Sequence, residues 1–165
     1  MAGLEEVEFS TPDGSEIRGW LIPAAGTDRD LAIVAVHGRG GDRLGLLPHV
    51  SALHHAGAAS VLIDLRENGL SDGNGRGMSL GVREAEDISI VVRALKKRGY
   101  KRAVVYGCSL GAVAAIVAAA QEQAIDGVIA ESTLESFPAY MRDVTLQRLQ
   151  RLSIGSTGLT RLWAP

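Results

Sequence analysis

Two short segments of this 165-residue chain combine side chains and backbone suited to acyl chemistry. The first is Gly107-Cys108-Ser109-Leu110-Gly111. A serine in a G-x-S-x-G run between strand and helix sits on a tight turn, its hydroxyl raised above the sheet. The helix N-terminus beside it favours developing negative charge, so Ser109 is a candidate nucleophile. The flanking glycines keep the strained turn free of clashes. The second segment is His37-Gly38-Arg39-Gly40-Gly41. Its small residues let backbone N–H groups approach a tetrahedral oxyanion. The candidate donors are the N–H of Arg39 and the N–H of Leu110, the residue after the serine. Losing one such donor costs about 3–4 kcal/mol in a transition state. A phosphate loop does not fit, because no G-K-[ST] follows and the glycine spacing is not G-x-G-x-x-G.

Both segments follow short apolar runs. Residues 31–36 precede the first in chain order and 103–106 the second; runs this short predict strands buried on both faces. Residues 59–65 and 127–130 read the same way. Helices are predicted over 46–55, 80–98 and 112–123. In the middle one, Ile88, Val91, Val92 and Leu95 share a stripe, and Gly99 ends it. A hairpin opens the chain, with strands at 7–9 and 17–22 around Thr11-Pro12-Asp13-Gly14, a type I turn sequence. Residues 66–77 form a polar loop, and 133–152 carry one more predicted helix with Leu134, Phe137, Tyr140 and Met141 turned inward. Strands alternating with helices predict an α/β fold, a mostly parallel sheet with helices on both faces. Ligands in such sheets bind at the carboxyl ends of the strands, where both segments fall.

The length suits one domain over 1–165. With 46% hydrophobic and 22% charged residues, the composition is that of an ordinary soluble protein. The net charge of -2 provides no basic field for nucleic acid or an anionic membrane. Lys96-Lys97-Arg98 falls at a predicted helix C-terminus, where it complements the dipole. The single cysteine, Cys108, excludes an intrachain disulfide framework, and it is expected to be buried and inert. Residues 1–6 are acidic with no apolar core of a signal peptide. The longest apolar run, 111–120, falls short of the roughly 20 residues a membrane span needs. A cytoplasmic location is therefore expected, with no cofactor and no metal.

The chain resembles an α/β-hydrolase of the serine esterase and serine aminopeptidase type. The resemblance rests on His37-Gly38-Arg39-Gly40-Gly41, on Asp64-Leu65-Arg66 with Gly69 and Ser71, and on Gly107-Cys108-Ser109-Leu110-Gly111-Ala112, in the family's order. It runs from about residue 7 to 137. It implies Ser109 as nucleophile and Arg39 and Leu110 as oxyanion donors. It also implies a structural part for Asp64-Leu65-Arg66, no chemistry for Asn68, and a side chain of His37 that braces the oxyanion loop without facing the serine. In that family the acid and then the histidine follow the serine in the chain. Here all four histidines, His37, His49, His54 and His55, precede Ser109. His54 and His55 end a predicted surface helix. Glu131 is either an acid position that some members use or, the simpler reading, a loop carboxylate or cap.

The expected function is hydrolysis of a small-molecule carboxylic ester or amide through Ser109, impaired in these residues for want of a downstream histidine. The alternative is a catalytically incomplete hydrolase fragment working as a binding or assembly module. In the family's strand order two more strands follow 127–130, and no counterpart is read here. An exposed sheet edge, and self-association through it, are therefore expected.

Overall fold

The computed structural model of the chain describes residues 3–24, 30–55 and 57–133, together with 136, 138, 139 and 142. Strands β1 (Glu5–Ser10) and β2 (Glu16–Ile22) form the opening hairpin, with Glu5 opposite Leu21 and Ser10 opposite Glu16. The turn between them closes with the Gly14 N–H on the Thr11 carbonyl at 3.0 Å. Strands β3 (Leu31–Val36), β4 (Ala59–Ile63), β5 (Arg102–Cys108) and β6 (Gly127–Glu131) follow. The six strands make one mixed sheet in the order β1-β2-β4-β3-β5-β6. It is parallel from β4 through β3 and β5 to β6, and β2 joins β4 antiparallel.

Helix α1 (Leu47–His55), α2 (Val82–Lys97) and α3 (Leu110–Gln121) cover the sheet. The continuous apolar character of β3 has a direct cause in this arrangement. Val34 and Val36 pack with Ile88, Val91, Val92 and Leu95 of α2 and with Ala114, Ala115 and Ala118 of α3. Ile33 and Ala35 point into a second, smaller cluster with Leu46, Leu62 and Tyr106. The stripe on α2 is fully buried as its spacing requires. Each such side chain contributes about 1.5–3 kcal/mol on burial.

Several boundaries differ from the sequence-based expectation, each for a local reason. The segment before α1 winds first as a 3-10 turn over Arg43–Leu46, because the Asp42 carboxylate accepts the N–H groups of Leu44 and Gly45 at 3.0 and 3.2 Å. Helix α3 starts at Leu110, with Ser109 as its cap residue. Strand β4 stops at Ile63: the Asp64 N–H still donates to the Arg18 carbonyl of β2 at 2.9 Å, but its carbonyl accepts the Ser71 hydroxyl and its carboxylate accepts loop N–H groups. Strand β6 is only half-buried to exposed, and Ile129 is 48% exposed. Among the described residues β6 pairs with β5 alone, so it is the edge of the sheet.

The contacts divide the chain into two compact units, Met1–Thr133 and Leu134–Pro165. All the elements above belong to the first. In the second, the Ser136 hydroxyl accepts the Ala139 N–H at 3.3 Å. The expected helix over 133–152, with Leu134, Phe137, Tyr140 and Met141, lies largely outside the described residues.

Two buried carboxylates fix α2. Asp87 takes Arg66 side-on, with Nε at 2.9 Å and Nη2 at 2.5 Å, and Arg66 Nη1 reaches Asp13 at 3.2 Å. Burial pushes the Asp87 carboxyl up, and the Arg66 hydrogen bonds oppose it. One guanidinium thus ties the polar loop, the β1–β2 turn and α2 together. Glu84, at the start of α2, accepts the Gly81 N–H at 2.8 Å and both the N–H and the hydroxyl of Ser79 at 2.8 and 2.7 Å. Burial alone would raise the Glu84 carboxyl, but the hydrogen bonds from Ser79 and Gly81 outweigh it and hold the group below its ordinary value of 4.5. In acid the folded chain therefore binds fewer protons at this site than the unfolded chain, and stability rises with pH there. We expect the Glu84 contribution to be fully present above the ordinary value and to be lost as pH falls below it. Urea unfolding between pH 3 and 7 checks this: Glu84→Gln should flatten the acid slope, and an unchanged slope would contradict it.

Candidate active site

Strand β5 runs straight into α3 through one residue, Ser109, whose backbone sits at φ 54 and ψ -116. Such a conformation costs a non-glycine residue about 1–3 kcal/mol and persists only where its surroundings enforce it. Those surroundings are two glycines. A Cβ on Gly107 would overlap the Gly111 carbonyl, and a Cβ on Gly111 would lie 2.6 Å from the carbonyls of Val36 and His37. The first turn of α3 is thus pressed against both the strand it leaves and the end of β3. The G-x-S-x-G spacing records backbone meeting backbone at both glycines.

The loop after β3 lies beside the serine. A Cβ on Gly38 would lie 3.1 Å from Ser109 Cβ and 3.7 Å from its Oγ. The loop closes as a β-turn, with the Gly41 N–H on the Gly38 carbonyl at 3.1 Å and Gly40 at φ 69. Arg39 is the first central residue of that turn and is exposed. Leu110 is the first residue of α3. Its N–H precedes the first acceptor the helix can supply, so it has no partner within the helix. Ser109 donates its own N–H to the Glu131 carbonyl at 2.9 Å, which removes that group from the set of oxyanion donors.

His37 is buried and holds the loop from behind. Its Nδ1 lies 2.7 Å from the Gly38 carbonyl and its Nε2 accepts the Leu65 N–H at 3.0 Å. A carbonyl only accepts, so Nδ1 carries the proton and both ring nitrogens are engaged. His49 packs its ring on Tyr106, with centroids 5.2 Å apart. His54 lies in α1, its Nδ1 buried.

Asp64 anchors the next layer. Its Oδ1 accepts the Arg43 N–H at 2.7 Å and its Oδ2 the Leu70 N–H at 2.9 Å, while the Ser71 hydroxyl donates to its carbonyl at 2.7 Å. Gly69, at φ 53, presses on this carboxylate so closely that any side chain would overlap it. Asn68 only donates to the Arg66 carbonyl, at 2.8 Å. Cys108 is half-buried rather than fully buried. Sequence reasoning missed the link between Tyr106 and the Glu131 carboxylate; no spacing in the chain announces it. Among the described residues no cluster of His, Cys, Asp or Glu is placed to hold a metal ion, and no helix is long and apolar enough to cross a membrane.

A family model described as serine aminopeptidase, S33, matches residues 27–160. The chain belongs to this family. The S33 match takes in the loop after β3, the Asp64 anchor and the Ser109 elbow. A polyketide transferase, ATR5, from Stachybotrys chlorohalonatus is 35% identical over 137 residues, covering 81% of this chain and 46% of the relative. The esterase Pf2001 of Pyrococcus furiosus superposes with a TM-score of 0.77 at 24% identity, over 92% of this chain and 55% of that one. The α/β hydrolase GrgF from Penicillium sp. sh18 does so with a TM-score of 0.73 at 26% identity, over 90% of this chain and 53% of that one. The fold is that of the α/β hydrolases. The S33-family chain spans about half the length of the curated relatives it matches.

The packing at Gly111 makes a sharp prediction for this S33-family elbow. Gly111→Ala should lower the unfolding free energy by about 1–3 kcal/mol, the range for overpacking a close contact. Gly45→Ala, with open space around its Cβ, should change it by no more than about 0.5 kcal/mol. Equal urea midpoints for the two variants would contradict the proposed constraint.

Proposed function

We propose that these residues carry the nucleophile and oxyanion half of a serine hydrolase centre acting on carboxylic esters or amides. Ser109 Oγ attacks the substrate carbonyl, and the oxygen that becomes negative is held by the N–H groups of Arg39 and Leu110. The tetrahedral intermediate collapses by breaking the substrate's C–O or C–N bond, and the alcohol or amine leaves with the proton taken from the Ser109 hydroxyl. The acyl group then rests on Ser109 until water, or another acceptor, removes it. The likeness to a polyketide transferase supports the second route, transfer to an acceptor other than water. The observation that carries the reading is the strained backbone of Ser109 at φ 54, directly against Gly38 of the neighbouring loop.

The proton of the Ser109 hydroxyl needs a base, and these 165 residues offer no histidine after Ser109. His37 cannot serve without releasing Leu65 or Gly38. In the proposed reading the imidazole comes from outside the present residues. A second reading, a catalytically incomplete binding or assembly module, is favoured by the same engaged His37. It draws support too from the β6 edge, which carries no lysine or proline, whereas β1 is guarded by Glu5, Glu6 and Glu8. That reading predicts association of copies through β6, read by light scattering behind size-exclusion chromatography.

Hydrolysis of p-nitrophenyl acetate separates the two. The chain alone should turn over far below the roughly 10 per second of a median enzyme. Ser109→Ala should change that rate little, because a serine without its base adds little to the oxyanion donors. Added imidazole should then accelerate the wild-type chain beyond its effect on Ser109→Ala. Equal acceleration of both would count against Ser109 as nucleophile, and ordinary turnover without imidazole would show a base within these residues.

A further inference from the structure

We propose that Glu131 is a positioning residue for Ser109: its carbonyl fixes the Ser109 N–H, and its carboxylate, tied to the Tyr106 phenol, fixes that carbonyl. The inference rests on the reading of Ser109 as nucleophile, and it concerns what holds the strained elbow in register.

Among the described residues, the elbow has rigid support on one side only. Gly111 and Gly107 press α3 against β3 and β5. On the other side its neighbour is β6, the edge strand, whose last three residues are exposed. Strand ends at a sheet edge fray readily, because few buried contacts hold them. Yet the Ser109 N–H depends on this strand end, through the Glu131 carbonyl at 2.9 Å. Immediately beyond, Ser132 adopts φ 52, so the chain leaves β6 in a second unfavourable conformation. Two strained serines thus flank one hydrogen bond, and conformations of that kind need surroundings that over-determine them.

The Glu131 side chain supplies the missing constraint. The ladder places Cys108 opposite Glu131 and Tyr106 opposite Ile129. From there the Tyr106 hydroxyl donates to Glu131 Oε2. The Tyr106 ring is buried and packs on His49 of α1, so it cannot follow a fraying strand. Burial, and then the Glu131 carboxylate, push the phenol above its ordinary value of 10.0, so at neutral pH it is a donor. The path runs from α1 through His49 and Tyr106 to Glu131, and through the Glu131 carbonyl to the backbone of the nucleophile. Glu131 itself need not reach the reacting atoms.

The test compares the full chain with Tyr106→Phe, Glu131→Gln and Glu131→Leu. The first readout is amide hydrogen exchange of the Ser109 N–H by NMR, with the Val34 N–H of β3 as internal reference. Tyr106→Phe keeps the ring and its packing, so it is the variant least prone to misfold. Tyr106→Phe and Glu131→Leu should speed Ser109 exchange by about tenfold, the loss of one hydrogen-bond constraint, with Val34 unchanged. Glu131→Gln retains an acceptor for the phenol and should restore most of the protection. The second readout is the rate at which a fluorophosphonate labels Ser109 in imidazole buffer, which should fall in the same order. Ser109 exchange alike in all four proteins would overturn the positioning role. If no protein is labelled, the nucleophile reading fails instead, and exchange alone still decides the position of Glu131.

Discussion

Where α3 leaves the sheet, Gly111 sits so close to the end of β3 that a methyl there would lie 2.6 Å from the carbonyls of Val36 and His37. That approach fixes much else at the site. It forces the chain from β5 into a helix within one residue, which puts Ser109 at φ 54. It also brings the loop after β3 against the serine, since Gly38 follows the same strand end. The cost of the strained serine is offset by the apolar packing of α2 and α3 over β3, which cannot be kept if the helix backs away.

The polar residues around this contact work as braces for it. His37 holds the Gly38 carbonyl with one nitrogen and the Leu65 N–H with the other. Asp64, one residue before Leu65, binds the Arg43 and Leu70 N–H groups and so joins the loop after β3 to the loop after β4. Arg66, one residue after, locks that second loop to Asp87 of α2 and to Asp13 in the first hairpin. Three residues in a row thus distribute one loop end among three parts of the unit. Because these groups are buried and mutually satisfied, removing one leaves partners uncompensated, which costs more than a surface contact would.

Most of the fold was legible in the sequence because its signals are local. The stripe of Ile88, Val91, Val92 and Leu95 announces α2, and the unbroken apolar run of β3 announces a strand covered on both faces. The elbow was legible too, since the glycines at 107 and 111 are forced by sterics that any such turn shares. What stayed hidden depends mostly on partners distant in the chain. The 3-10 turn that Asp42 caps ahead of α1 rests on its carboxylate reaching the Leu44 and Gly45 N–H groups, a local contact that the helix expected over 46–55 did not include. The pairing of Tyr106 with Glu131 follows from the register of β5 on β6, which no periodicity encodes. The exposure of Ile129 follows from the sheet order, because an apolar run reads alike in a central strand and at an edge.

In the proposed mechanism an oxyanion formed at Ser109 lies between the N–H groups of Arg39 and Leu110. A crystal structure of the chain after prolonged reaction with an alkyl fluorophosphonate tests it most directly, because the adduct at phosphorus has the tetrahedral shape of the acyl-transfer intermediate. The expected result is a bond from Ser109 Oγ to phosphorus and a phosphonyl oxygen about 2.7–3.1 Å from both nitrogens. An adduct on another residue, or a phosphonyl oxygen turned to solvent away from Arg39 and Leu110, would contradict it.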